Sequence, residues 1–273
     1  MISIIIPSRS EKYLNRTIKD IQAKATSDIE IIVVLDGYDE ERLDGVKYIY
    51  HPKPIGMKYA INSGVKLATG EYLMKIDAHC IVSPGFDAQL VSDHRPNWIQ
   101  IPRRYKLNEE KWEPNFNEFI DYEYWIWPKR YHPVSLHGFR WSERSKERSD
   151  ILIDDTLTFQ GSFWFMTKDH WDRHDFMNDE GYNELHAQEA TYLGNTTWMN
   201  GGRVVVNKNT WYCHLHGKRR YGINTTNREK CYIYSYKHWV TDNEEGFIKL
   251  IEKFWPLPNW PQNWKEQLWK KHE

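Results

Sequence analysis

Residues Gly70 to Cys80 read GEYLMKIDAHC, an apolar strand pattern that stops abruptly at Asp77-Ala78-His79. A buried strand that ends by delivering a carboxylate and an imidazole two residues apart has a costly terminus. Side chains alternate along an extended backbone, so Asp77 and His79 project the same way. One oxygen and one nitrogen donor on a shared face suit a divalent ion such as Mn²⁺ or Mg²⁺. Asp-x-His is a common tripeptide, and two solvated residues at a strand end would read identically, so the weight falls on the sequence around it.

Upstream, strand and helix patterns alternate. Ile2 to Ile6 is a β-branched run ending at Pro7-Ser8-Arg9-Ser10, and Leu14, Ile18 and Ile21 line one face of a helix over 14–25. Glu30 to Leu35 is a second strand stopping at Asp36-Gly37, and Val46 to Tyr50 a third. Gly56 to Leu67 is helical in pattern, with Gly70 placed to close it, and Glu71 to Ile76 is the fourth strand. Such alternation predicts an α/β fold with a Rossmann-like, mostly parallel central sheet flanked by helices. Sheets of this kind bind ligands beyond the carboxyl ends of their strands. Ser8-Arg9, Asp36 and Asp77-Ala78-His79 all fall there. Alone, Asp36-Gly37 is a plain turn and Arg9 a loop charge; three coincident strand ends favour a shared site.

No Gly-rich phosphate loop of the P-loop or dinucleotide type is present, which argues against kinase, ATPase and dehydrogenase chemistry. A site that holds a pyrophosphate without such a loop needs a cation, and Asp77 with His79 supplies ligands for one. Further on, Val204-Val205-Val206 and Trp211 to His216 read as two strands. His214 and His216, at i and i+2, share a face and are able to chelate. Either is a candidate third ligand; the plainer alternative is one structural and one solvated histidine.

The segments IIIPSRS, EIIVVLDGYDE and IGMKYAINSGVKLATGEYLMKIDAHC resemble those of GT-A fold glycosyltransferases of family 2. By that resemblance Pro7, Ser8, Arg9 and Asp36 contact the nucleoside, and Gly56, Lys58 and Asn62 contribute further donor contacts. The Asp77-Ala78-His79-Cys80 form of the metal motif, with Ala78 inside it, is similar to that of polypeptide N-acetylgalactosaminyltransferases. FQGSFWFMTKDHWDR (Phe159 to Arg173) resembles the stretch beside the donor sugar in that family, which places Gly161 there. His186 to His216 resembles its later segment, which maps Glu189 onto a conserved-motif Glu, Gly201-Gly202 onto a turn and His214 onto the third metal ligand. Where that family has Trp-Gly-Gly before the Glu, this chain has His186-Ala187-Gln188, so the sugar or acceptor pocket is expected to differ. The resemblance implies a Mn²⁺- or Mg²⁺-dependent hexosyltransferase using a UDP-sugar donor. Asp77 and Glu189 are its catalytic candidates, Glu189 as general base or as an anchor for sugar hydroxyls, and Lys218 or Arg219 assist the diphosphate. Family 2 enzymes invert and the polypeptide branch retains, and Glu189 does not decide between them.

The 273 residues carry a net charge of −1, so no global field draws the chain to nucleic acid or membrane. Three cysteines make no disulfide framework, no apolar stretch is long enough to span a bilayer, and no charged leader precedes the first strand; the expectation is a cytoplasmic enzyme without a membrane partner. The expected organisation is a catalytic domain over 1–218, with a nucleotide-sugar half (1–100) and an acceptor half (101–218), and an aromatic-rich C-terminal extension (219–273) packed on it. Trp255 to Trp269, interrupted by Pro256, Pro258 and Pro261, reads as an extended clamp and a short final helix.

Cations mix with aromatics in three loops of the acceptor side and beyond: 103–106, 129–148 and 218–221. Such mixtures suit phosphate contacts with base stacking, and they make a 5-hydroxymethylpyrimidine in DNA the first expected acceptor. Protein Ser/Thr or a glycan are the alternatives, as is a non-catalytic sugar-nucleotide or nucleic-acid binding module. A nucleotidylyltransferase, which shares a similar sheet, would carry a basic Gly-rich loop where Pro7 to Tyr13 has none.

Overall fold

The computed structural model describes residues 1–128, 136–182, 188–217, 222 and 225–269. Its first half follows the alternation closely: β1 (Ile2–Ser8), α1 (Leu14–Lys24), β2 (Ile29–Asp36), β3 (Val46–His51), α2 (Met57–Leu67) and β4 (Tyr72–Ile76). β5 (Cys80–Val82), α3 (Phe86–Asp93), β6 (Trp98–Asn108) and β7 (Glu113–Ile120) come next. β8 (Glu123–Trp125) and β9 (Gly138–Arg140) form a separate two-stranded ribbon, and β10 (Ile153–Asp155), β11 (Phe163–Thr167) and β12 (Arg203–His214) complete the strands.

The main sheet runs in the order β10-β12-β6-β11-β4-β1-β2-β3, with β5 on β12 and β7 on β6. β3, β2, β1, β4, β6 and β12 point one way, while β11 runs against its neighbours β4 and β6. The sheet is therefore mixed but mostly parallel through its N-terminal half. Ile2, Ile4, Ile5, Ile6 and Ile31 to Leu35 are buried, the continuous apolar run of strands covered on both faces. α1 buries Leu14, Thr17, Ile18 and Ile21, and α2 buries Ala60, Ile61, Gly64 and Val65. Gly64 lets α2 lie directly on the sheet: a Cβ there would stand 2.6 Å from Ile5 Cγ2.

Several local expectations change. Gly70 does not cap α2, which ends at Leu67 with Ala68 following. Its lack of a side chain serves close approach, because a Cβ would lie 2.8 Å from the Ser3 backbone nitrogen. The two strands expected between Val204 and His216 are one, β12, with a register shift between Asn207 and Trp211. Residues 103–106, expected as a loop, form the outer part of β6, paired with Trp211–His214 on one side and with β7 on the other.

The C-terminal part is more helical than its sequence suggests. Helices Thr225–Tyr236 and Glu244–Phe254 flank a π-helical segment, Lys237–Asp242, and Trp264–Trp269 is a last short helix. Phe247 stacks on Trp125 at 5.7 Å, Trp260 meets Trp127 edge-on at 4.9 Å, and Trp260 Nε1 donates to the Trp125 carbonyl at 2.6 Å. These aromatics belong to the same apolar core as β1 and β2.

Candidate active site at the strand tips

β4 and β12 supply the centre of the site because of how β5 pairs. The antiparallel register sets Cys80 opposite His214, and Leu215 N donates to His79 O at 3.1 Å. On the other side Asp77 N donates to Ser162 O at 3.0 Å, so the end of β4 is held from both flanks. His79 Nε2 then lies 3.0 Å from His214 Nε2, and Asp77 Oδ2 lies 3.3 Å from His214 Nε2 and 3.9 Å from His79 Nε2. Asp77, His79 and His214 offer one ligand atom each, all within 4.8 Å of one another.

Those separations match the edges of a ligand shell around one divalent ion with bonds of about 2.1 Å. Glu11 Oε2 sits 3.2 Å from His79 Nδ1, and a carboxylate accepting from Nδ1–H leaves the lone pair at Nε2. His216 Nε2 is 3.5 Å from His214 Nδ1, so His216 backs the cluster while His214 faces it. The residues present fit a hard or borderline cation.

The electrostatics are strongly polarised. Burial pushes the His214 imidazole down to about 4, with Asp77 opposing, so its ring is neutral near pH 7. Burial works against the charge on Asp77, but the Lys75 ammonium beside it and His214 hold its carboxyl well below the usual range. Lys75, itself buried, is kept charged by Asp77 and Glu189. Glu189 is raised by burial, which Lys75 and Trp164 only partly counter. Its Oε1 accepts from Trp164 Nε1 at 2.6 Å and its Oε2 faces Lys75 Nζ at 3.4 Å.

A cavity of about 1640 Å³ opens over this centre. Pro7, Ser8, Arg9, Asp36 and Gly56 line one end; Ala78, Gly161 and Glu189 lie with the cluster in the middle; Arg104, Glu123 and the β9 ribbon line the other. Asp36 accepts from Ile55 N at 2.5 Å and Gly56 N at 3.2 Å, and Gly56 takes a left-handed φ of 92° that allows this turn. Lys58 and Asn62 are not in the lining. Lys58 Nζ donates to Asp179 O at 2.6 Å and Asn62 Nδ2 to Met177 O at 2.9 Å, tying α2 to the segment behind it. Lys218 and Arg219 lie outside the described residues.

Four arginines of the basic clusters are paired with carboxylates of the protein, while Arg140 and Lys146 are exposed. Arg103 pairs with Asp121 through two contacts of 2.7 Å, Arg104 with Glu123 at 2.8 Å, and Arg144 and Arg148 share Asp154. Residues 129–135 and 218–221 are outside the described part. Lys75, Glu11 and Trp164 were not singled out from sequence. For Lys75 a signal existed, since a lone charge in an apolar strand stands at i−2 from Asp77 and so shares its face.

A Rossmann-like sheet with a large cavity and an Asp/His/His cluster at its strand tips defines a GT-A-like fold. The chain belongs to glycosyl transferase family 2, whose sequence model matches residues 3–174. That match includes Asp77 and His79 and stops before Glu189 and His214, whose placement rests on the geometry above. Among curated relatives, the uncharacterized glycosyltransferase EpsJ of Bacillus subtilis (strain 168) is 24% identical over 190 residues, 58% of this chain and 53% of EpsJ. The uncharacterized glycosyltransferase alr2836 of Nostoc sp. is 34% identical over 94 residues, 30% of this chain and 29% of that protein. A crystal structure of GalNAc-T7 with UDP, GalNAc and Mn²⁺ superposes with a TM-score of 0.68 at 17% identity, covering 98% of this chain and 54% of that one. This last likeness is one of fold. The chain thus spans about half the length of EpsJ and GalNAc-T7 and under a third of alr2836.

Proposed function

We propose that this chain transfers a sugar from a UDP-sugar to an acceptor hydroxyl, with Asp77, His79 and His214 holding Mn²⁺ or Mg²⁺. The observation that carries this reading is the meeting of His79 and His214, 135 residues apart, with Asp77 beneath a cavity at the strand tips. When bound there, the cation offsets charge developing on the departing diphosphate. Ser8, Arg9 and Asp36 form the nucleoside end, where the protein's own backbone already fixes the Asp36 carboxylate. Glu189 has a protein donor on each oxygen, which favours an anchoring role over that of a free base. The GalNAc-T7 structure, which holds UDP and Mn²⁺, supports the same donor chemistry here by analogy of fold.

The DNA acceptor loses support, because Arg103 and Arg104 are each paired with a carboxylate of the protein and Arg144 and Arg148 share a third. We therefore favour a glycan or a protein Ser/Thr hydroxyl. The test is UDP release from a panel of UDP-sugars with Mn²⁺, offering oligosaccharides, Ser/Thr peptides and 5-hydroxymethylpyrimidine DNA in parallel. Release that requires the oligosaccharide or peptide and stops with EDTA is expected. Release only with DNA would restore the DNA reading, and no release with any donor would favour a binding module.

A further inference from the structure

Lys75 is an unusual occupant of its position. It stands inside β4, YLMKI, and its side chain is 1% exposed. A buried ammonium is costly unless each of its three N–H groups finds an acceptor. Lys75 Nζ finds three: Asp77 Oδ1 at 2.7 Å, Glu189 Oε2 at 3.4 Å and the Gly161 carbonyl. These come from three separate segments, namely the tip of β4, the turn entering β11 and the start of helix Glu189–Met199. Gly161 has room for this junction because it lacks a side chain; a Cβ would stand 3.0 Å from Glu189 Oε2.

We propose that Lys75 is a positioning residue that makes Asp77 a one-oxygen metal ligand; this rests on the metal-site reading above. By occupying Oδ1, the ammonium leaves Oδ2 as the oxygen that faces His214 and His79. It also spends Glu189 as its second counter-charge, with Trp164 holding the other oxygen. Lys75 acts through Asp77. A purely electrostatic role would have the opposite consequence, because a cation beside a metal site repels the ion.

The two accounts separate by sign. Mn²⁺ is titrated into the protein at fixed UDP and followed by loss of the free-ion electron paramagnetic resonance signal, against a UDP-only blank. Lys75→Met is expected to weaken Mn²⁺ binding by about 10–100-fold, the range for outer-shell partners of metal ligands. Glu189→Gln is expected to lower the thermal midpoint while leaving Mn²⁺ affinity within about threefold, since Lys75 still holds Asp77. Unchanged or tighter Mn²⁺ binding in Lys75→Met would overturn the proposal while leaving the metal site intact. No Mn²⁺ binding by the unmodified protein would overturn the metal site, and this proposal with it. Should Lys75→Met not fold, Lys75→Met/Glu189→Gln carries one unbalanced buried carboxylate fewer, and the same 10–100-fold loss is expected against Glu189→Gln alone.

Discussion

His214 closes the twelve-residue strand β12 and reaches the cluster only because β5 pairs with that strand's end. Its neutral ring and the Glu11-backed His79 ring bring two nitrogens to 3.0 Å. On the proposed metal site, removing either takes away one of three ligands. His214→Ala is expected to lower metal-dependent sugar transfer by roughly 10²–10³-fold, the scale of losing transition-state charge stabilisation. UDP-release kinetics at saturating Mn²⁺ measure this, and a loss below about threefold would show that His214 is not a ligand. His216→Ala, two residues beyond His214, is expected to cost far less, because its ring backs His214 and is not one of the three clustered groups.

At the scale of elements, the close seating of α2 on β1 is what sets the first half's geometry. Gly64→Ala drives a methyl into Ile5 and is expected to destabilise by about 1–3 kcal/mol, read from urea unfolding. Stability equal to the unmodified protein would mean that α2 sits further from the sheet. The first four strands and two helices were legible in sequence because they are β-branched runs alternating with a 3.6-residue apolar period. β12 reads as two strands in sequence because Asn207 to Thr210 is polar where the strand bulges. β6 lost its outer part because Arg103-Arg104 reads as a solvated loop, whereas both are paired with Asp121 and Glu123. Asp77, His79 and His214 were readable as polar stops at strand ends. Lys75 carries only a weak signal, its i−2 spacing from Asp77, because its second partner Glu189 lies 114 residues away and only the fold reveals that pair. Lys58 and Asn62 illustrate the converse: the family resemblance suggests ligand contact, yet tertiary packing spends both on backbone carbonyls.

For the whole molecule, buried histidines shape the acid response, and two of them, His170 and His94, lie outside the cluster at the strand tips. Burial pushes His170 down to about 3, with His174 adding to it, and His94 down to about 4, with Arg95 adding to it. Both rings stay neutral in the fold while the unfolded chain takes up protons below about pH 6.5. The folded state therefore binds fewer protons, and stability falls as pH drops from 6.5 toward 4, by up to about 1.4 kcal/mol per pH unit for each histidine. Glu30 adds to the loss lower down. Burial opposes its charge, but Lys47, Ser3 and Thr69 bring it to about 2, so its contribution is present above pH 4.5 and lost below. Urea unfolding at pH 7, 6 and 5 measures the histidine part; a flat profile would contradict it. The C-terminal aromatics act at this scale too. Trp260 is 6% exposed and bonds to the Trp125 carbonyl, so Trp260→Ala is expected to cost about 3–5 kcal/mol. A change under 1 kcal/mol in the same unfolding experiment would mean that the final segment is not part of the core.

The claim on which these expectations converge is that one cation sits between two distant strand ends. Crystals grown with UDP and MnCl₂ and measured at the manganese absorption edge address it directly. An anomalous peak bonded to Asp77 Oδ2, His79 Nε2 and His214 Nε2 is the predicted result. A peak held elsewhere, or none while UDP occupies the cavity, would contradict it.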